Sequence, residues 1–157
     1  MSQFHLTVAA VIEHAGRFLL VTDNTRHGPK LNQPAGHVET NEDLITAVIR
    51  EVKEETSLDF TPHAVCGLYV YHPNPTTTYL RVAFKGSIAD YSQPPQPQPT
   101  DPDVLSAAWY PLTEIQAKPE QHRSMLVLQT LEDYLAGQEY PLAMVQSYRE
   151  RLPLNLK

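Results

Sequence analysis

With 157 residues, 41% of them hydrophobic and 19% charged, the chain is long enough to bury one core and too apolar to be disordered along its length. A formal net charge of −6 argues against a non-specific nucleic-acid binder, which needs a basic face to neutralise phosphates. An acidic protein still binds a polyphosphate when a divalent cation bridges carboxylate and phosphate. No apolar run approaches the ~20 residues of a membrane span, and Met1-Ser2-Gln3-Phe4-His5 shows no basic region leading into an apolar stretch. A soluble cytoplasmic protein is expected, a single domain over 1–157. The lone cysteine, Cys66, excludes an intramolecular disulfide and a multi-cysteine zinc site, and reads as a small buried strand residue. The histidines do not fall at zinc-ligand spacing.

Leu6 to Ile12 and Phe18 to Thr22 are rich in β-branched and apolar residues, and the turn-like stretch Glu13 to Arg17 makes them a β-hairpin. Thr25 to Lys30, with Gly28-Pro29, reads as a loop, and Leu31 to Pro34 as a short extended piece. Thr40 or Asn41 is suited to cap a helix that begins at Glu42-Asp43 and runs to Thr56 or Ser57. Leu44, Ile45, Val48, Ile49 and Val52 form its apolar stripe. Val65 to Tyr71 and Tyr79 to Lys85 are strands, with Pro73 and Pro75 breaking the chain between them. Ser92 to Pro102 holds too many prolines for a helix or an interior strand and reads as a polyproline-like loop, either passive surface or a recognition segment. Ala107 to Tyr110 is a strand, Thr113 to Gln116 a helical turn, Met125 to Leu135 an amphipathic helix ending at Gly137, and Pro141 to Glu150 a shorter helix. Interleaved strands and helices favour an α/β or α+β layered fold.

The chemistry sits between Gly36 and Leu58. On a helix, Glu51, Glu54 and Glu55 share one face beside the apolar stripe. Each like-charge pair costs an isolated helix a few tenths of a kcal/mol. Hard oxygen donors at this density suit Mg²⁺ or Mn²⁺, which would polarise a phosphoryl oxygen and activate a water. The alternative is a solvated acidic face laced to Arg50 and Lys53.

The same segment matches the Nudix box: a glycine, five residues, Glu, seven residues, Arg-Glu-aliphatic, one residue, Glu-Glu, one residue, Gly, aliphatic. Here it reads Gly36, Glu42, Arg50, Glu51, Val52, Glu54, Glu55, Ser57 and Leu58, with serine in place of the last glycine. The chain thus resembles the Nudix hydrolases. The resemblance implies an α/β Nudix fold, a mixed β-sheet sandwiched between α-helices, and Mg²⁺ (or Mn²⁺) on Glu51, Glu54 and Glu55, with the Gly36 carbonyl a further ligand. It implies that Arg50 orients the glutamates and that Glu42 pairs with Arg50 or supports the metal shell. Glycine at 57 would suit a left-handed helix terminus, which a β-carbon disfavours by ~1 kcal/mol.

Outside the box the chain resembles the NudJ-type phosphatases, small bacterial Nudix enzymes. The resemblance rests on Leu31 to Glu39, on Leu80-Arg81 and on Gly137 to Leu142. It implies release of phosphate from nucleoside di- and triphosphates and from the pyrophosphates of thiamine and its hydroxymethylpyrimidine precursor. Arg81 alternates against Leu80, Val82 and Phe84, so it is expected on the opposite sheet face, as a phosphate clamp or a structural ion pair. Asn32 and Gln33 are expected to contact a substrate ring or to cap their loop, and His37, the one histidine near the chemistry by sequence, is a further substrate-binding candidate within the box loop. Tyr69, Tyr71 and Tyr79 either stack on a heterocycle or join the core. The box does not fix the water's general base: one of its glutamates could serve, or an acid from a later loop, where Asp103 is the first choice, with Asp101 behind it, against ordinary solvated loop residues. The expected partner is a small pyrophosphate or nucleotide, with no nucleic acid and no membrane, the protein being a monomer or homodimer. A pyrophosphate-releasing nucleoside triphosphatase and a non-catalytic nucleotide sensor are the rival readings.

Overall fold

The computed structural model describes residues 1–98 and 100–150; Pro99 of the proline-rich stretch and the last part of the expected domain, 151–157, lie outside the described residues. In chain order the elements are β1 (Gln3–Val11), β2 (Glu13–His14), β3 (Arg17–Thr25), β4 (Gly28–Asn32), β5 (Ala35–His37), α1 (Leu44–Thr56), β6 (Phe60–Asn74), β7 (Thr77–Ile88), β8 (Val104–Pro111), α2 (Leu112–Ala117), α3 (Leu126–Leu135) and β9 (Tyr140–Pro141), with 3₁₀ turns at Pro119–Gln121 and Leu142–Met144. The architecture is α/β, with mixed sheets packed against helices, as expected. The strands divide between two sheets. One is mixed, in the order β5-β1-β7-β6-β9, with β1 and β7 parallel from Gln3 opposite Thr77 to Val11 opposite Lys85. In the other, β3 pairs antiparallel with β2, β4 and β8.

Strand periodicity sorts the core. Val8, Ala10, Val82 and Phe84 join Ala47, Val48 and Val52 of α1 and Leu58 just beyond it in one cluster. The residues between them in sequence, such as Val11 and Ala83, join Phe18, Leu20, Ile115 and Leu131 in a second. The sheet therefore separates α1 from α2 and α3, and Arg81 shares the parity of Ala83, opposite Val82 and Phe84, as its alternation implied. Cys66 is fully buried in the second cluster, where burial pushes its thiol up to about 11.

Several boundaries differ from expectation for identifiable reasons. Strand β1 does not hairpin with β3, because β7 takes one of its edges. The turn at Ala15 and Gly16, both with positive φ, closes only the short β2–β3 pairing. The expected loop at 25–30 is the tip of a second hairpin, Thr25 opposite Gly28, and Pro29 is accommodated within β4. Pro73 stays inside β6, where the register shifts between Tyr71 and Asn74. Helix α1 starts at Leu44, with Asp43 in the cap position and no side-chain cap bond, so Glu42 and Asp43 precede it. Ile49 is 38% exposed and leaves the apolar stripe, its place taken by Ala47. The helix expected at 141–150 does not form. Tyr140 and Pro141 pair with Val65 and Ala64 of β6, and after the 3₁₀ turn Leu142 and Val145 pack on the first core cluster. Arg149 then clasps Asp43 at 2.9 Å and the Asn41 carbonyl at 2.7 Å.

Phe84 bridges α1 and the sheet with no exposed surface. Phe84→Ala should lower unfolding free energy by about 3–5 kcal/mol in urea denaturation. A loss near zero would mean that this cluster does not hold the helix to the sheet.

Candidate active site

The three box glutamates project from α1 toward one cleft. Glu51 and Glu55 are buried and Glu54 is partly exposed. Arg50 makes this crowding tolerable. Its Nε and Nη2 donate to the two oxygens of Glu42 at 2.7 and 2.9 Å, a bidentate pair. Its Nη1 reaches Glu51 at 2.9 Å and Glu54 at 3.3 Å, and Nη2 also donates to the His37 carbonyl at 3.0 Å. Arg50 thus ties the box loop to the helix. Hydrogen bonding to Arg50 holds the Glu42 carboxyl below the usual range.

Glu51 and Glu55 are pushed the other way. Burial raises Glu51 to about 7 against the pull of Arg50. Burial, then the charges of Asp23 and Glu51, raise Glu55 well above its ordinary value, while the Ala35 N–H donates to both its oxygens at 3.2 Å. These carboxylates are short of positive charge, which a divalent cation would supply. Gly36 fits the same reading. A Cβ there would stand 2.3 Å from the Glu51 carboxylate carbon, so only glycine lets the glutamate lie against this backbone. Among the described residues no three such side chains already stand closed at metal-ligand spacing; Arg50 Nη1 bridges Glu51 and Glu54 instead. The donors therefore suit an open site for a hard cation that keeps water and substrate ligands. Glu51, Glu54, Glu55 and Gly36 would hold it.

The cleft has a volume of about 1210 Å³. Its floor contains Asp23 and Arg81, and Asp23 was not singled out from the sequence. Arg81 is buried. Its Nη2 donates to the Gln33 side chain, its Nη1 stands 3.4 Å from the Asn32 side-chain Oδ1, and its Nε has no partner among the described residues. Burial pulls its guanidinium down to about 10, opposed by the charges of Tyr69, Asp23 and Glu55. Gln33 does not reach the cleft. It is 1% exposed, and its Nε2 donates to the Val127 carbonyl at 2.8 Å, so it braces Arg81 rather than a substrate. Asn32 and Arg81 do line the cleft.

Arg26, Lys30 and Arg123, also unflagged in the sequence, add cations along one wall, Arg123 paired with Asp23 at 2.9 Å. Tyr71, Tyr79 and His37 line another stretch. There His5 stacks on Tyr79 at 4.5 Å and its Nδ1 meets His37 Nε2 at 2.9 Å. Tyr69 faces away, its hydroxyl donating to Asp133 at 2.6 Å. Asp101 and Asp103 both line the cleft, but Asp103 is exposed and its carbonyl is taken by the Asn24 N–H. Asp101 lies close enough to Asp23, Glu51 and Glu55 to disfavour their charge.

A glutamate helix laid this way against a mixed sheet defines a Nudix enzyme, and the chain belongs to that family: the NUDIX domain model matches residues 3–130. It is a hydrolase of phosphorus-containing acid anhydrides, and Nudix hydrolases use divalent metal ions. The chain is 34% identical over 144 residues, 92% of each sequence, to Phosphatase NudJ of Shigella boydii. It is 33% identical, with the same coverage, to Phosphatase NudJ of Escherichia coli. A NUDIX hydrolase from Nitrosomonas europaea superposes with a TM-score of 0.82 at 43% identity, over 92% of this chain and 97% of that one. No helix among the described residues is long and apolar enough to cross a membrane.

Two outcomes check the site. Gly36→Ala must displace the Glu51 carboxylate, so titration calorimetry should show divalent-metal affinity falling about 10–100-fold with circular dichroism unchanged; wild-type affinity would separate Gly36 from the metal. Glu51 has its folded-state value raised from 4.5 to about 7, so the native state holds the extra proton in that window. Compared with Glu51→Gln, the metal-free wild type should therefore lose stability as pH rises from about 4.5 to 7, and saturating Mg²⁺ should restore it. A rise in melting temperature over that window, relative to the variant, would contradict this electrostatic account.

Proposed function

We propose that the chain is a Mg²⁺-dependent phosphatase of the NudJ kind, a single-domain cytoplasmic enzyme that removes orthophosphate from small organic pyrophosphates. Its substrates would be the pyrophosphates of hydroxymethylpyrimidine and thiamine, and nucleoside di- and triphosphates. The observation that carries this reading is the convergence of Glu51, Glu54 and Glu55 with the Gly36 backbone on one cleft, in a chain similar over most of its length to enzymes named as phosphatases. Mn²⁺ would be a substitute for Mg²⁺.

When bound, the metal neutralises phosphate charge and activates water. The chain's own residues do the positioning. Arg50 holds Glu51 and Glu54 in one orientation. Arg123, Lys30 and Arg26 offer charge to the phosphates along the cleft wall, and buried Arg81 offsets Asp23 and Glu55 from beneath. Tyr79, Tyr71 and His37 give a planar organic group a surface to lie on. Catalysis is then mainly positioning and charge compensation, the pattern expected of phosphoryl transfer.

The test is product analysis on a panel of these pyrophosphates, with Mg²⁺ and with chelator. Metal-dependent orthophosphate release from the pyrimidine pyrophosphates or the diphosphates is expected. Pyrophosphate release from triphosphates alone would replace this specificity with that of a triphosphate pyrophosphatase. Saturable binding without turnover would make the chain a sensor. Glu54→Gln should lower kcat by about 10²-fold, the scale seen when one preorganised electrostatic contact to a transition state is removed, with the melting temperature preserved. Unchanged turnover would remove Glu54 from the site.

A further inference from the structure

The box departs from its pattern at residue 57, and serine has a specific task there. Ser57 takes the left-handed conformation that ends α1, with φ 65°, and its N–H donates to the Lys53 carbonyl. Its hydroxyl donates to the carbonyl of Gln96, in the middle of the proline-rich stretch. The Gln96 N–H donates back to the Thr56 carbonyl at 2.8 Å, and the Gln98 N–H to the Glu54 carbonyl at 2.8 Å. Carbonyls in the last turn of a helix have no partner within it, and this segment satisfies two of them. Pro94, Pro95 and Pro97 have no N–H to leave unsatisfied and favour the extended form in which alternate residues present theirs.

From this dock the chain runs to the cleft. The Asp101 N–H donates to the Gln98 carbonyl at 3.0 Å, and the Asn24 N–H of β3 donates to the Asp103 carbonyl at 2.8 Å. The segment is thus pinned to α1 at one end and to β3 at the other. Thr100 to Asp103 line the same cleft as Glu51, Glu54 and Glu55.

We propose that this segment is a strap that holds Asp101 over the box glutamates, that Asp101 is the base for the attacking water, and that Ser57 and Gln96 are positioning residues acting through it. The inference rests on the hydrolase reading above. In the step it serves, the water oxygen bonds to phosphorus as the bridging P–O bond breaks. The electron pair leaves with the departing phosphate, and Asp101 takes the water's proton.

The test is a double-mutant cycle on the full chain with Mg²⁺ and a substrate that the wild type hydrolyses. Asp101→Asn should lower kcat by about 10²-fold with KM little changed. Ser57→Gly restores the family glycine and favours the left-handed backbone, so the fold should hold while the strap loses one bond. Ser57→Gly, and separately Gln96→Pro, which deletes an N–H, should each lower kcat about tenfold, and neither should lower it further in the Asp101→Asn background. Hydrogen exchange on the metal-free protein gives an independent readout: the Gln98 amide should be protected in the wild type and exchange faster in Ser57→Gly. Additive losses in the cycle, full kcat in Asp101→Asn, or a Gln98 amide that is unprotected in the wild type would each overturn the proposal. A wild type that hydrolyses none of the panel would overturn the hydrolase reading and the base with it, while the exchange result would still report whether the strap is docked.

Discussion

The site depends on packing carboxylates of one charge onto a single helical face, partly out of water. Left alone, Glu51 and Glu54 would splay apart. Arg50 prevents this from the same helix, touching Glu51 and Glu54 with one nitrogen while the rest of its guanidinium grips Glu42 and the His37 carbonyl. A lysine could not do so, because a point charge lacks the planar fork that satisfies several acceptors in fixed directions. The box loop is thereby locked to the helix before any ligand arrives, which is the preorganisation that phosphoryl transfer rewards.

The remaining negative charge is compensated only in part. Arg81 sits buried beneath Glu55 and Asp23 with Gln33 bracing it, and Arg123 closes on Asp23 from the rim. Glu55 and Glu51 nevertheless keep values raised by burial. The folded chain therefore carries an electrostatic strain that a cation held there would relieve, and metal affinity and fold stability would then draw on the same carboxylates.

How much of this could be read in the sequence follows from distance along the chain. The glutamate face is local, set by helical periodicity, and is found where the spacing put it; the pairing of Arg50 with Glu42, one of two roles that the resemblance to the box implied, is also made. The parity of Arg81 followed from strand alternation. The partnership of Asp23 with Arg123 joins residues far apart in sequence, through contacts that no local pattern encodes. Gln33 looked like a ligand because polar residues beside a catalytic loop usually face solvent, whereas this one turns inward to an arginine and a helix carbonyl. Ile49 fitted a helical stripe by spacing, but the packed face of α1 is centred on Ala47, Val48 and Val52, which leaves Ile49 exposed. The C-terminal helix yielded to strand pairing at Tyr140 and Pro141 and to the packing of Leu142 and Val145.

The proline-rich segment grips α1 through the backbone N–H groups of Gln96 and Gln98. What evolution must preserve there is consequently a rhythm and not a vocabulary. Another non-proline residue at 96 or 98 keeps the donors. Sliding a proline by one position removes a donor while leaving the composition of the stretch almost untouched. Such a segment would drift quickly in its letters while its alternation of imino and amino residues stayed fixed, and a comparison of residue identities alone would mistake it for an unconstrained linker.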